Sequence, residues 1–409
     1  MGRAIPHPVL ETLTPVRTGP RFKPRSLTRR IGRWLLVPVA LLTVVAVLVG
    51  ISLVGAMRTP GNQSFSAKWA DWLRSHHAAP LANALENFYY THNAPSKGGA
   101  PRSLNPVPDQ PTSATPTTGL PGLTAVSHLP RPPAVPLVVS PALAGEGQWV
   151  STGVVVQGAP AMYVAQFRAD QVYTSQITSA VWVDPTLLDL SLVPGSQEPG
   201  GTWSEPPFIT SAQVPAAVAA FNGGFRMQDA HGGVYLDGRQ QVPLRPGAAS
   251  MVIYTNGRVD VGTWGTEVSM GPNVRTVLQN LVPIVDHGQP SPDATYRDTT
   301  IWGATLGAST VVARSGVGVT ATGALVYVAG PALTARSLAE SLQRVGAVRA
   351  MALDINPEWV TFNFYQHDPS NPALVTGAKL YPRMQRPADR YLGPTHESRD
   401  FFLISRRPA

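Results

Sequence analysis

Residues Trp34 to Met57 form a run of 24 without one charged side chain. As a helix rising about 1.5 Å per residue it would be about 36 Å long, enough to cross a hydrocarbon core of about 30 Å. Two rival readings are a buried core helix and a cleaved signal peptide, for which Val54-Gly55-Ala56 would be a tolerable cleavage site. The run is much longer than the ~7–15 apolar residues of a signal peptide, so the reading favoured is an uncleaved single-pass anchor. Residues 1–33 hold Arg3, Arg17, Arg21, Lys23, Arg25, Arg29, Arg30 and Arg33 against Glu11 alone, while Arg58 and Lys68 flank the other side. That bias predicts a cytoplasmic amino terminus and an extracytoplasmic carboxyl-terminal part. It also absorbs almost the whole net charge of +8. The rest of the chain is nearly neutral, so its pI is no argument for nucleic acid as a partner.

After the anchor, residues 64–90 show two helical faces, Trp69, Trp72, Leu73 and His76 on one and Leu81, Leu85, Phe88 and Tyr89 on the other. Pro80 suits the first turn of the second helix. The pair reads either as interfacial helices on the outer leaflet or as a helical hairpin packing on itself or a partner. Residues 95–136 carry 11 prolines among 42 residues. This composition predicts a semi-rigid extended linker or a solvated tail. Cysteine is absent, and a domain this large needs no disulfides.

A strand-rich domain is expected over residues 145–405. Trp149–Val156, Met162–Arg168, Ile177–Val183, Val282–Val285 and Leu325–Val328 read as strands. Met251–Tyr254 and Val259–Val261 flank Asn256-Gly257 as a hairpin, and Asp237-Gly238 is a second hairpin signal. Leu338, Leu342 and Val345 recur at helical spacing, with Thr334 as N-cap and Gly346 as the terminating glycine, so a helix is predicted over 333–345. Val218 to Phe221 forms a short buried strand ending in Asn222-Gly223-Gly224, where glycine lets backbone approach a ligand closely. Val348 to Leu353 is another, with Asp354 at its carboxyl end, where sheets flanked by helices meet their ligands. Gly316-x-Gly318 is not a dinucleotide fingerprint, because a strand follows it. The scattered His231, His287, His367 and His396 suggest no metal set, and no cofactor is read from the chain.

Phe221-Asn222-Gly223-Gly224-Phe225-Arg226, the Gly233–Gly238 hairpin, Arg314-Ser315-Gly316 leading a glycine-containing strand, and a helix followed by Leu353-Asp354 occur in this order. Together they resemble the phosphodiester glycosidase family, the family of the N-acetylglucosamine-phosphodiester uncovering enzyme. The resemblance covers roughly Gly145 to Ser405. One departure is plain: Ile355-Asn356-Pro357-Glu358 stands where the family has a glycine run. The resemblance implies an α+β fold, a mixed strand-rich domain with few helices. It also implies hydrolysis of the sugar–phosphate bond in glycosyl phosphodiesters of cell-envelope glycans. A phosphate leaving group needs little acid help but does need a cation, and a carboxylate must activate water or attack the sugar. Asp354, Arg314 and Asn222 are the catalytic candidates, and Gly223, Gly224, Ser315 and Glu358 the substrate-binding ones. Glu358 reads equally as a solvated loop acid. Arg314 and Asp354 could instead simply pair to close the sheet. The alternative function is a catalytically inactive glycan-binding or envelope-organising protein of the same fold.

Overall fold

The computed structural model describes residues 27–59, 61–92, 95–107, 128–297, 301–303 and 310–407. The chain divides into two compact units, Met1–Val54 and Gly55–Ala409. The described part of the first lies in the helix Leu27–Arg58. Within that helix Leu36–Arg58, of mean hydropathy 2.7, is long and apolar enough to cross a membrane by length and composition. Its side chains from Leu36 to Ile51 are largely exposed.

Antiparallel sheets dominate the second unit, and the fold is α+β with few helices. The largest sheet orders the strands Val150–Ser151, Met162–Phe167, Thr178–Val183, Leu325–Leu333, Val312–Thr320, Ala347–Ala352, Pro283–Asp286 and Gln289–Pro290. A second runs Val259–Thr263, Ala249–Tyr254, Val274–Gln279, Val234–Leu236, Arg239–Val242. The third runs Asn371–Lys379, Phe362–Asp368, Ala217–Asn222, Phe401–Arg406, Leu188–Val193. One core joins all three: Val181, Val317 and Tyr327 of the first pack in one cluster with Met251 and Leu278 of the second and Phe221, Phe362 and Phe402 of the third.

The large sheet is buried on both faces, which is why its strands read as unbroken apolar runs. Val181 and Tyr327 point into the shared core, whereas their neighbours Trp182, Val326 and Val328 lie in another cluster with Leu338 and Leu342 of the helix Ala335–Arg344. That helix starts as its sequence dictates. The Thr334 side chain accepts from the Ser337 N–H and the Ser337 hydroxyl from the Thr334 N–H, a reciprocal cap. Gly346, at φ +96°, ends it. Asp237-Gly238 and Asn256-Gly257 turn their hairpins, the former with φ +47° and +83° at its two central residues.

The sequence reading and the structure differ in two places. Trp149–Val156 is not one strand but Val150–Ser151 and Val155–Val156, because the chain turns at Gly153 with φ +73°. The Pro-rich stretch is not free where it is described. Asn105 exchanges backbone bonds with the Gln166 side chain at 2.7 and 2.8 Å, and the Leu129 N–H donates to Asp184 at 2.7 Å. Trp149 donates to the Pro133 carbonyl, and Val135 is buried. Residues 108–127 of the expected linker, and residues 1–26 of the basic arm, lie outside the described residues.

Candidate functional site

Asn222 ends the central strand Ala217–Asn222, and its buried amide is the junction of the site. Its NH2 donates to the Gly223 carbonyl at 2.8 Å and to the Ser315 hydroxyl at 3.1 Å. Its oxygen accepts from the Tyr327 hydroxyl at 2.9 Å and the Thr361 N–H at 3.1 Å. Four chain segments from two sheets thus meet on one side chain. With donors and acceptor committed, the amide sets positions rather than reaching for a ligand.

Ser315 ties this junction to Asp354. Its backbone pairs with the loop through Ser315 N–H to the Asp354 carbonyl, 2.9 Å, and Leu353 N–H to the Ser315 carbonyl, 2.8 Å. Its hydroxyl accepts from the Asp354 N–H at 3.2 Å. The chain after Asp354 folds without the glycine run. Asp354 Oδ1 accepts the Asn356 N–H at 2.8 Å, and Asn356 Oδ1 in turn accepts the Glu358 N–H at 2.9 Å. Two successive side-chain-to-backbone turns do the work that glycines would do by conformational freedom.

Asp354 is 2% exposed, and its partner is Arg399, whose Nη1 lies 3.0 Å from Oδ2. Burial raises the Asp354 carboxyl above its ordinary value, and Arg399 and the loop N–H groups offset part of this. The Arg399 guanidinium also stands over the Trp359 ring at 4.6 Å and donates to the Gly224 carbonyl at 3.3 Å. Asp400 follows it. A side chain on Gly223 would place its Cβ 2.3 Å from Asp400 Oδ2, so only glycine admits the carboxyl there. Asp400 is 2% exposed, and neither of its oxygens has a hydrogen-bond partner among the described residues.

These residues line one depression of about 200 Å³: Asn222, Gly223, Gly224, Asp354, Trp359, Arg390, Tyr391, Arg399 and Asp400. Its free interior is about 10 Å³, close to what one water molecule requires. Arg390 is committed to Glu397 and to the Glu358 carbonyl at 3.2 Å. Tyr391, pushed up to about 12 by burial, shares its hydroxyl with Thr361 at 2.6 Å. Outside this lining, Glu358 accepts from the Ser64 hydroxyl and pairs Arg386 at 3.3 Å, and Asp71 of the helix Phe65–Ser75 pairs Arg226. The first of the two helices after the apolar run thus docks on the domain through polar contacts.

Of the residues singled out in the sequence, Asn222, Gly223, Gly224 and Asp354 therefore meet at one cavity. Ser315 lies beneath them. Glu358 is buried and does not line the cavity, its carboxylate occupied by Ser64 and Arg386. Arg314 lies elsewhere: fully buried, it donates to the Leu333 carbonyl at 3.0 Å and the Trp302 carbonyl at 2.9 Å, holding a loop to the sheet. Among the described residues Arg314 does not line this cavity and makes no ion pair with Asp354; the guanidinium beside Asp354 is that of Arg399. Glu267, Asp286 and His287 offer ligand atoms within 4.8 Å of one another, but none of the three lines the cavity.

Residues 215–354 match the family model described as phosphodiester glycosidase. Among solved structures, similarity is found to the catalytic domain of zebrafish N-acetylglucosamine-1-phosphodiester alpha-N-acetylglucosaminidase, auto-inhibited by its pro-peptide. The identity is 15%, covering 61% of this chain and 85% of that one, with a TM-score of 0.38. A hypothetical protein from Synechocystis is 11% identical, covering 61% and 63%, with a TM-score of 0.34. A protein from Burkholderia pseudomallei described as exported is 12% identical, covering 56% and 74%, with a TM-score of 0.28. No curated protein matches the sequence. The matched segment starts just ahead of Asn222 and ends on Asp354, so the similarity to the phosphodiester glycosidase model takes in the strand ends that bring Asn222, Gly223, Gly224 and Asp354 to the cavity.

Proposed function

We propose that this protein is a membrane-anchored hydrolase that cleaves the sugar–phosphate bond of glycosyl phosphodiesters in cell-envelope glycans. The observation that carries the reading is the buried Asp354–Arg399 pair at 3.0 Å, presented at the Asn222-Gly223-Gly224 turn. Asp354 activates water or attacks the anomeric carbon. The departing phosphate is already a stable anion, so its charge rather than its protonation is what the site must meet. Arg399 supplies that charge with a planar fork that matches phosphate oxygens. Because the interior holds little more than one water, the phosphate docks at the mouth, and Trp359 and Arg399 swing outward to admit the sugar. Residues 34–57 anchor the chain with its amino terminus in the cytoplasm and the domain outside, as the basic flank supports.

The test uses the full chain purified in detergent and a panel of sugar phosphodiesters, with released sugar as the readout. Release that is lost in Asp354→Asn at unchanged melting temperature supports the reading. Folded protein that releases no sugar from any of them turns the assignment to a glycan-binding protein without catalysis. Protease added to intact cells should remove the carboxyl-terminal part; survival of that part until permeabilisation would reverse the orientation.

A further inference from the structure

Asp400 has no part in the chemistry above, yet it is buried in the same cavity with neither carboxyl oxygen hydrogen-bonded among the described residues. It also lies beyond the segment that the family model matches. A buried carboxylate without hydrogen bonds is costly, and it normally escapes the cost by pairing or by taking a proton. Pairing is closed to it. The adjacent Arg399 has its guanidinium on Asp354 and on the Gly224 carbonyl. The other groups around it are Glu198, whose carboxylate accepts from the Met227 N–H, then Asp354, Arg390 on Glu397, and Tyr391 on Thr361. Two of these are acids that repel a second charge, and Arg390 is engaged by another carboxylate. The free interior that Asp400 lines has the size of one water, hence of one oxygen of a ligand.

We propose that Asp400 is a second substrate-binding acid of this site, a carboxyl that carries a proton and donates it as a hydrogen bond to an oxygen of the bound phosphodiester. The proposal rests on the phosphodiester reading of the same cavity. It explains why the chain tolerates an unpaired acid there: a neutral carboxyl is a donor that costs far less to bury than a carboxylate and that an anionic ligand satisfies. Burial pushes the Asp400 carboxyl up to about 7; Arg399 draws it down, and Glu198 and Asp354 raise it. The proton is therefore present below neutrality. Above it, the ionised carboxylate faces the ligand's own negative charge. A phosphodiester keeps one charge throughout this range, so any pH dependence of its binding belongs to the protein.

The test is calorimetric titration of the full chain in detergent with dimethyl phosphate from pH 5 to pH 9. This probe has no sugar, so the outcome is independent of whether any glycosyl phosphodiester is hydrolysed. Affinity should fall about tenfold per pH unit above neutrality, with one proton taken up on binding there. Asp400→Asn, whose amide donates at every pH, should flatten the profile, and Asp400→Ala should bind weakly and flatly. Asp354→Asn should keep the fall, which assigns the titration to Asp400. A flat wild-type profile, an unchanged fall in Asp400→Asn, or absence of binding at every pH overturns the proposal. Hydrolysis could still be observed in each of those cases, so the two readings fail separately.

Discussion

Replacing Asp400 by Asn should stabilise the protein, and more so as the pH rises. The folded carboxyl titrates at about 7, against an ordinary value of 3.8. A raised acid holds its proton in the folded state where the unfolded chain has lost it. Its contribution to stability is thus fully present below about pH 4 and is lost progressively as the pH climbs to about 7. Three units at about 1.4 kcal/mol each give a ceiling of about 4 kcal/mol, and water entry or side-chain relaxation can halve it. Asparagine keeps the shape and removes the titration, so the wild type should become less stable than Asp400→Asn by about 2–4 kcal/mol more at pH 8 than at pH 4. For a domain this size that is a gap in melting temperature widening by about 4–8 °C. Asp354, raised in the same direction, tilts both curves. Melting both proteins across pH 4–8 in one buffer series decides it. A gap that stays constant, or narrows with rising pH, refutes the argument that this carboxyl is buried without a partner.

Three other substitutions test the rest of the site. Asp354→Asn should lower sugar release by at least about a hundredfold while moving the melting temperature by only a few degrees, because a functional carboxylate seldom contributes to stability; steady-state kinetics with melting curves reads both. Arg399→Ala leaves Asp354 buried without its cation and should cost about 3–5 kcal/mol by denaturant titration, with Arg399→Lys recovering part of the stability and less of the activity. Ser315→Ala removes the hydroxyl shared by the Asn222 amide and the Asp354 N–H, and should destabilise by about 1–3 kcal/mol and lower kcat more than it raises KM.

Local chemistry made much of this molecule readable from its sequence. Asp237-Gly238, Asn256-Gly257, the Thr334 cap and Gly346 act within a few residues of themselves, and the structure has them in those roles. Asp354 and the Asn222-Gly223-Gly224 turn were found because both follow strands at their carboxyl ends. The same rule hid Arg399 and Asp400. They precede a strand, Phe401–Arg406, that pairs antiparallel with Ala217–Asn222, Phe401 opposite Asn222. In antiparallel neighbours the amino end of one strand lies beside the carboxyl end of the other, so a site collects residues from both. The available signal was an Arg-Asp pair directly ahead of an apolar run too uniform to face water. Arg314 misled because an arginine within a strand serves buried carbonyls as well as it serves phosphates. Proline content likewise reports stiffness but not whether a stiff segment lies along a sheet edge, as residues 128–136 do beside Asp184 and Trp149.

The Asn222 junction bears on when the backbone around the cavity can open. The N–H groups of Asn222, Gly223, Asp354 and Thr361 are held by the Thr361 carbonyl, the Asp400 carbonyl, the Ser315 hydroxyl and the Asn222 amide, so no one of them is released alone. Amide exchange at these four should be as slow as in the core strands, against the usual pattern in which ligand-binding loops exchange first. A cavity framed this way admits a ligand through the rotamers of Trp359 and Arg399 and not through the microsecond closure of a loop.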